Sequence, residues 1–321
     1  MVNTIILLFV GFVILVKGAD IFIESAARIA YVFRIPMIII GIVIVGFGTS
    51  LPEFSVTFNA VLKHHDTMAV STIVGSNIFN LLFIIGSVAC FSTIVVKKKL
   101  LTFELPYLVI SAFVLMFAGI DNEFFHMSPV LTRLEGVILL IIFCIFLLHM
   151  WFVAKKRRDD SDEAHNTIAV ASPQELKVGS NILSVIVGII LVIYGGDLVV
   201  EESVSIAQHL NISAHIVGLT IIGIGTSLPE YVVSIIAAIR HQQDLIVGNI
   251  IGSNIFNILF ILGSSSLLHS IGIPKVVMYN SIFYLFCSIL LMCFIFRAHK
   301  ISKLLGGVFV LLYIGFLYST F

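Results

Sequence analysis

The sequence predicts an all-α membrane protein with ten transmembrane helices, arranged as two inverted five-helix repeats. Three observations predict this fold class. First, 59% of the 321 residues are hydrophobic and only 11% are charged, whereas soluble domains have about 25% charged residues. Second, apolar runs long enough to cross a bilayer core of roughly 30 Å recur from end to end. Third, the second half of the chain repeats the first. A soluble protein is disfavoured because its helices would need polar faces, which are missing here.

Charged or turn-rich segments separate ten apolar runs, and each run is a predicted span. The runs lie near residues 3–30, 36–62, 68–93, 102–120, 131–153, 180–208, 213–239, 245–268, 277–297 and 303–320. The first run follows Met1 without the basic segment and small-residue cleavage site of a signal peptide, so we expect it to be retained.

The longest polar stretch, from Ala154 to Lys177, divides the ten runs into two groups of five. We therefore predict a first five-helix repeat over residues 1–153, a linker over 154–179 and a second five-helix repeat over 180–321. The linker is too short to hold a folded domain.

The two halves match when the chain is shifted by 177 residues, which aligns 11–86 with 188–263 without a gap. In this alignment Gly46–Glu53 falls on Gly223–Glu230, and Gly75–Asn80 falls on Gly252–Asn257. We name residues 46–80 the first motif and residues 223–257 the second motif. A shared apolar alphabet would not reproduce Thr, Ser, Pro, Glu and Asn in register, so the halves arose by duplication.

Each half has five spans, an odd number, so the second half enters the membrane from the opposite side and the repeat is inverted. Cytoplasmic loops are enriched in Lys and Arg. With the linker placed in the cytoplasm, fourteen Lys and Arg residues lie on the cytoplasmic side and three on the other. We therefore expect a multi-pass protein of the cell membrane with both termini extracellular.

Each motif contains Gly-x-Gly-Thr-Ser-Leu-Pro-Glu in the middle of an apolar run. Pro52 has no N–H, so the carbonyl of Gly48 loses its helical partner, and Pro229 does the same to Gly225. In hydrocarbon, a freed carbonyl is tolerated only where it is buried in protein or lines a hydrated site. The motif therefore predicts a broken helix with backbone oxygens facing a cavity.

Carboxylates, hydroxyls and amides gather around each break. Thr49 and Ser50 precede Glu53 by four and three residues, so their side chains tend to share its face of the helix. Ser76 and Asn80 are four apart and share a face of the next helix. Over both motifs the candidate side-chain ligands are Glu53, Thr49, Ser50, Ser76, Asn80, Glu230, Thr226, Ser227, Ser253 and Asn257.

Every candidate ligand atom is an oxygen. This set suits Na⁺ and Ca²⁺, which takes 6–8 oxygen ligands, and disfavours zinc and copper. Two carboxylates balance the charge of one divalent ion. The alternative for Glu53 and Glu230 is a packed, protonated acid, but intramembrane acids are costly and functional by default. Asn77 and Asn254 point away from the ligand face, and we expect them to join helices by hydrogen bonds.

The two motifs resemble the α-repeats of the sodium/calcium exchanger family, within the calcium/cation antiporter superfamily. The resemblance implies ten helices, an inverted repeat and an ion site shared by the second, third, seventh and eighth helices. It also implies that the first and sixth helices slide as a gate. At the matching positions, Glu53 and Glu230 would be the central Ca²⁺ and Na⁺ ligands, and the other candidates would complete the site. Phe47 and Ile224 would add backbone carbonyls. No resident cofactor is implied.

The sequence departs from some branches of that superfamily. Potassium-dependent members have Asp where Asn257 stands, so the resemblance favours the potassium-independent branch. Proton/calcium exchangers favour Asn-containing motifs before Pro-Glu, where this chain has Thr-Ser. Ser71-Thr72 stands where the second half has Gly248-Asn249, a break in symmetry whose effect the sequence does not reveal. The linker has no room for the regulatory calcium-binding domains of animal exchangers.

We expect a secondary active antiporter, not an enzyme, that exchanges Na⁺ for Ca²⁺ by alternating access. One alternative is an antiporter coupled to H⁺ or K⁺. Another is a cation channel, but clustered carboxylates at the midplane would bind a divalent ion tightly and slow its passage. An intramembrane protease would need paired catalytic aspartates or a nucleophile with a base, and Asp20 and Asp197 are expected near helix ends on opposite sides of the bilayer.

The expected partners are Ca²⁺, Na⁺ and the lipid bilayer. A formal net charge of zero gives no indication of a nucleic acid partner, and no protein partner is required for the expected function.

Overall fold

A computed structural model describes residues 2–32, 46–96, 98–124, 129–158, 178–239 and 243–320. Within these ranges the chain is predominantly helical, as the sequence predicts. The first part of the second predicted span, up to residue 45, lies outside the described residues, as does most of the predicted linker, residues 159–177.

The described residues of the first half form seven α-helical segments and one π-helical segment. They are α1 (Val2–Val32), α2 (Gly46–Thr49), α3 (Leu51–Leu62), α4 (Asp66–Ile78), a π-helical segment (Phe79–Ile84), α5 (Ile85–Phe91), α6 (Lys98–Phe124) and α7 (Arg133–Arg158). The segments from α4 to α5 follow one another without a break, so residues 66–91 form one continuous rod.

The second half repeats much of this order. It contains α8 (Val178–Leu210), α9 (Ala214–Val217), a π-helical segment (Gly218–Ile222), α10 (Gly223–Thr226), α11 (Leu228–Ile239), α12 (Gln243–Phe256), a π-helical segment (Asn257–Leu262), α13 (Gly263–Ser266), α14 (Lys275–Ala298) and α15 (Lys303–Thr320). A π-helical segment therefore occurs at nearly matching places in the two motifs, beginning at Phe79 in the first and one aligned position later, at Asn257, in the second. Such segments are rare and are frequent at functional sites.

Two short antiparallel strand pairs connect loops that are far apart in sequence. Strand β1 (Ile94–Val95) pairs with β4 (Lys300–Ile301), and β2 (Val130–Leu131) pairs with β3 (Ile271–Gly272). The predicted spans place β1 and β4 on one side of the membrane and β2 and β3 on the other. Each pair thus joins two loops that the predicted topology puts on the same side.

Seven described helices or continuous rods are long and apolar enough to cross a membrane, and eight if a bent pair counts as one span. The bent pair is Ala214–Thr226 with Leu228–Ile239. Helix α6 has a shorter apolar stretch, Glu104–Gly119. Helix α3 is short, and residues 33–45 before α2 lie outside the described residues. The count of ten spans and their inversion therefore remain predictions.

Two rods occupy the centre of the protein. In Asp66–Phe91 and Ile246–Ser266, 83% and 89% of the apolar window is buried, whereas the corresponding shares in α1, α7, α8, α14 and α15 are 22–33%. The peripheral helices expose large apolar side chains, for example Phe9, Leu148 and Leu304. Apolar outer faces of this extent suit lipid and not water. The central rods carry the second part of each motif.

Helices α1 and α8 pack against each other along their length, and glycines allow their backbones to approach closely. A Cβ atom added to Gly18 would lie 2.8 Å from the backbone nitrogen of Val192, and one added to Gly188 would lie 2.8 Å from that of Phe22. Real Cβ atoms do not make contacts this short, so any larger residue at either position would push the helices apart. Small residues at helix interfaces are typical of membrane proteins.

Candidate ion-binding site

Both predicted helix breaks are present. Helix α2 ends at Thr49, Ser50 lies in a turn, and α3 begins at Leu51 with Pro52 in its first turn. In the second motif the axis bends by 41° between α10 and α11, with Ser227 at the junction. Proline is tolerated in the first turn of a helix because the N–H groups there have no helical partner. The prediction of a helix broken before each Pro-Glu is therefore confirmed.

The two carboxylates are fully buried and each is bonded to a serine of the opposite motif. The Oγ of Ser227 donates to Oε1 of Glu53 at 2.8 Å, and the Oγ of Ser50 donates to Oε1 of Glu230 at 3.1 Å. All four side chains have 0% exposure. The sequence placed each serine on the face of the glutamate in its own motif, whereas these hydrogen bonds cross between the halves. The two breaks therefore form one site.

The remaining hydroxyls also pair across the halves. Thr226 and Ser76 have their hydroxyl oxygens 3.3 Å apart, and Thr49 and Ser253 have theirs 3.5 Å apart. Ser76 donates to the carbonyl oxygen of Gly223 at 3.0 Å, which fixes its hydroxyl against the second break. The predicted threonine and serine ligands thus lie together between the central rods and the broken helices.

Both carboxylates have further polar neighbours. The hydroxyls of Thr226 and Ser76 lie beside Glu53, and that of Thr49 lies beside Glu230. Glu53 and Glu230 also lie near enough to repel each other when both are ionised. Among the ion pairs of the described residues, none includes Glu53 or Glu230. A cation placed between the two carboxylates would compensate their buried negative charge.

Asn77 and Asn254 join the two central rods, as the sequence predicts. The Nδ2 of Asn77 donates to the backbone oxygen of Asn254 at 3.3 Å, and the Nδ2 of Asn254 donates to the backbone oxygen of Asn77 at 3.1 Å. Each also accepts a bond from a candidate ligand. Asn257 donates to Oδ1 of Asn77 at 2.9 Å, and Asn80 donates to Oδ1 of Asn254 at 3.0 Å.

Four buried oxygens of the candidate ligands accept no hydrogen bond within the described part of the chain. They are Oε2 of Glu53, Oε2 of Glu230, Oδ1 of Asn80 and Oδ1 of Asn257. Buried polar atoms in proteins are nearly always paired, because an unpaired one loses its hydration without compensation. These four atoms come from symmetric positions in the two motifs, and all are oxygens. The arrangement suits a hard cation, which would supply the missing interaction.

Asn249 is a site residue that the sequence analysis did not select. It is 3% exposed, its Oδ1 accepts a bond from Oγ1 of Thr49 at 3.3 Å, and its Nδ2 donates to the backbone oxygen of Glu230 at 3.4 Å. The signal was present in the sequence. Asn249 precedes Ser253 by four residues and Asn257 by eight, so all three share one helix face.

The two predicted carbonyl ligands lie at the breaks, in α2 and α10. The ring of Phe47 stacks on that of Phe256 with centroids 4.4 Å apart, and the side chain of Ile224 packs against the hydrophobic core. Both residues thus anchor the helices that carry them. Their role as backbone ligands remains a prediction.

Acidic residues near the helix ends do not join the site. Lys63, at the end of α3, contacts Oδ1 of Asp197 at 2.6 Å and Oε1 of Glu201 at 3.0 Å. The partial burial of Lys63 opposes its charge, but the hydrogen bonds and negative charges of Asp197 and Glu201 outweigh this effect and raise the pKa of Lys63. Asp20 pairs with Lys17, and Glu24 with Arg28.

Comparison with known proteins adds an independent line of argument. A family model described as "Sodium/calcium exchanger protein" matches residues 3–152 and 180–321. The putative antiporter CaxA of Alkalimonas amylolytica is 32% identical over 325 residues, covering 100% of this chain and 99% of that protein. The sodium/calcium exchanger MaX1 of Methanosarcina acetivorans is 28% identical over 347 residues, covering 100% and 99%.

A solved structure has the same fold. The sodium-calcium exchanger NCX_Mj soaked with 10 mM Na⁺ and 10 mM Sr²⁺ aligns with a TM-score of 0.66 and 31% identity, over 98% of this chain and 97% of that one.

Proposed function

Because the chain belongs to the sodium/calcium exchanger family, we propose that it is a secondary active antiporter that exchanges Na⁺ for Ca²⁺ by alternating access. One observation carries the proposal. Glu53, Glu230, Asn80 and Asn257 each present a buried oxygen that accepts no hydrogen bond within the described residues. A site of this kind is unfavourable without a cation and favourable with one.

The charge of the site supports a divalent ion. Two carboxylates offset the +2 of Ca²⁺, and the neutral oxygens of the serines, threonines and asparagines supply the remaining ligands that this ion requires. The full proposed ligand set is Glu53, Glu230, Thr49, Ser50, Thr226, Ser227, Ser76, Ser253, Asn80 and Asn257, with backbone oxygens of Phe47 and Ile224. Na⁺ also prefers oxygen ligands, so the two ions compete for the same atoms. Such competition is what couples their movements in an antiporter.

Two other coupling modes compete with this proposal. Coupling to K⁺ is disfavoured because position 257 is Asn, a neutral residue, and we expect exchange to persist when K⁺ is replaced by an inert cation. Coupling to H⁺ predicts that a proton gradient alone drives Ca²⁺ uptake. A channel predicts Ca²⁺ flux without any counter-ion. Each alternative has a distinct requirement, so one flux assay separates them.

We propose ten spans in two inverted repeats, 1–153 and 180–321, joined by a cytoplasmic linker over 154–179, with both termini extracellular and the protein in the cell membrane. The strand pairs β1–β4 and β2–β3 support this topology, since each joins loops assigned to one side. Single cysteines introduced at Ser161 and at Asn122 test the orientation. An impermeant thiol reagent added outside is expected to label the cysteine at position 122 and not the one at 161, with the four native cysteines removed first. The opposite pattern would invert the assignment.

Helices α1 and α8 are the proposed moving elements. They pack on each other through Gly18 and Gly188 and lie at the periphery, whereas the ligands are on the central rods and the broken helices. Movement of the α1–α8 pair across the site would expose it to each side in turn without dismantling the ligand set.

Purified protein in liposomes provides the test. Vesicles loaded with Na⁺ and diluted into Na⁺-free medium are expected to accumulate ⁴⁵Ca²⁺, and vesicles with Na⁺ on both sides are expected not to. Protein-free vesicles and vesicles containing the double variant Glu53→Gln/Glu230→Gln serve as controls. Uptake that is independent of the Na⁺ gradient would overturn the proposed exchange and favour the H⁺-coupled or channel alternative.

A further inference from the structure

Four buried asparagines of the two motifs are joined to one another by hydrogen bonds. Asn77, Asn254, Asn80 and Asn257 all have 0% exposure. The first two residues bond to each other's backbone and hold the side chains of the last two. An asparagine side chain has nearly the same shape after a half-turn that exchanges its oxygen and nitrogen. The network removes this ambiguity.

The orientation is dictated step by step from the backbone. The carbonyl of Asn254 only accepts hydrogen bonds, so Asn77 must present its Nδ2 to that carbonyl. The Oδ1 of Asn77 then faces Asn257, which must present its own Nδ2. The Oδ1 of Asn257 is therefore the atom left to point away from Asn77, and it accepts no bond within the described chain.

The same sequence of bonds runs in the other half. The carbonyl of Asn77 fixes the Nδ2 of Asn254, and the Oδ1 of Asn254 accepts from Asn80. The Oδ1 of Asn80 is left without a hydrogen-bond partner among the described residues. The repeat thus orients one ligand amide in each half by the same means.

We propose that Asn77 and Asn254 are positioning residues that hold the oxygens, and not the NH₂ groups, of Asn257 and Asn80 toward the transported cation. This proposal rests on the proposed function, because it concerns ligands of the same ion site. The orientation matters because an amide oxygen carries partial negative charge and an NH₂ group partial positive charge. A flipped amide would turn an attractive ligand into a repulsive neighbour at the same position.

Each half of the network can be disrupted separately by a single substitution. Asn77→Ala keeps the backbone oxygen that fixes Asn254, so it releases only the amide of Asn257. Asn254→Ala likewise releases only Asn80. Neither Asn77 nor Asn254 has an unpaired side-chain oxygen among the described residues, which distinguishes them from Asn80 and Asn257.

The test is a double-mutant cycle on Ca²⁺ affinity, measured by equilibrium binding of ⁴⁵Ca²⁺ to the purified full chain in detergent. Asn77→Ala is expected to weaken binding about tenfold, as loss of a favourably oriented dipole beside a charge would. In the Asn257→Ala background, where there is no amide to orient, Asn77→Ala is expected to cause no further loss. In the Asn80→Ala background its effect is expected to persist in full.

The outcomes are distinguishable. Equal effects of Asn77→Ala in all three backgrounds, or no effect in the wild type, would overturn the positioning role. Absence of Ca²⁺ binding by the wild type would instead overturn the proposed function. Asn280→Ala is the matched control: it removes another interhelical amide contact, 3.2 Å from Nε2 of His215, and is expected to lower the melting temperature without changing Ca²⁺ affinity. If Asn77→Ala cannot be purified, the cycle of Asn254→Ala with Asn80→Ala tests the same proposal through the other half.

Discussion

The two motifs are almost identical in the atoms that face the proposed ion and different in the atoms behind them. Glu53 and Glu230 each accept a bond from a serine of the other motif, and the asparagine pairs are reciprocal. One helical turn before Ser76, however, Thr72 bonds to the carbonyl of Met68 in its own helix at 2.9 Å. Its counterpart in the second motif, Asn249, reaches across to Thr49.

This difference separates the candidate ligand atoms, which are the same in both halves, from the contacts that support them, which are not. In the proposed site the two carboxylates share the charge of one cation, and the candidate ligand atoms are equivalent in both halves. The supporting contacts have diverged. Ser71 also bonds to Nδ1 of His215 at 2.8 Å, whereas Gly248, its counterpart, has no side chain. The two halves therefore differ in how the same ligand set is held.

The largest expected effect comes from breaking the symmetry of charge. Glu53→Gln keeps the shape of the side chain but leaves a buried divalent ion half compensated, which costs several kcal/mol. A loss of about 3 kcal/mol corresponds to a more than hundredfold weaker affinity for Ca²⁺. We expect Glu230→Gln to have the same effect, measured as ⁴⁵Ca²⁺ exchange in liposomes, and the melting temperature to be maintained, since an amide is less costly to bury. Near-normal exchange by either variant would show that this carboxylate is not a central ligand.

The asymmetric contacts predict a smaller and unequal effect. Asn249→Ala removes two hydrogen bonds that hold Thr49 and the backbone of Glu230, and we expect Ca²⁺ affinity to fall about fivefold to tenfold. Thr72→Ala is the matched control, because among the described residues the Thr72 hydroxyl bonds only to Met68 of its own helix, and we expect a change of less than about twofold. Equal effects of the two substitutions would mean that Asn249 does not support the site.

Asn257→Asp tests how a third carboxyl fits the amide network. When protonated, the new carboxyl can donate to Oδ1 of Asn77 as the native amide does; when ionised, it cannot. We therefore expect the apparent Ca²⁺ affinity of this variant to change severalfold between pH 6 and pH 8, more steeply than that of the wild type. Asn80→Asp makes the same change in the first half for comparison. Parallel pH profiles for wild type and variants would contradict this expectation.

The ion pairs of Lys63 predict the smallest effect. Lys63 links the end of α3 to Asp197 and Glu201 on α8, but all three side chains are partly exposed, so the contribution is about 1 kcal/mol or less. Lys63→Met is expected to change the exchange rate less than about fivefold, and the difference is expected to shrink at high ionic strength. Lys17→Met, which removes an exposed pair within α1, is the control. A larger, salt-independent effect would assign Lys63 to the ion path.

Much of this organisation could be predicted from the sequence because its signals are local or repeated. Hydrophobicity indicated the helical membrane fold, Pro52 and Pro229 indicated the breaks, and the duplication identified the buried acids. The spacing of Ser76 and Asn80 placed them on one helix face, which the cross-half contacts of Ser76 agree with.

What could not be predicted depends on how the two halves dock. Nothing in the spacing of Ser50 and Glu53 indicates that Ser50 bonds to Glu230, because that contact is set by the packing of the two breaks. Asn249 was missed for the same reason: its partner, Thr49, is 200 residues away. The break in symmetry at positions 72 and 249 marked the place, but its meaning needed the three-dimensional arrangement.

The glycine contact between α1 and α8 has a mechanical consequence. Because the two backbones lie this close at Gly18 and Gly188, we expect the two helices to move as one unit in the proposed exchanger. The strand pairs do not involve α1 or α8. Both β1–β4 and β2–β3 connect only loops between other helices of the described chain. In the proposed exchanger, α1 and α8 are therefore the moving unit, and the helices joined by the strand pairs are the stationary part. If the pair moves as one unit, opening one end of the proposed site would cover the other end.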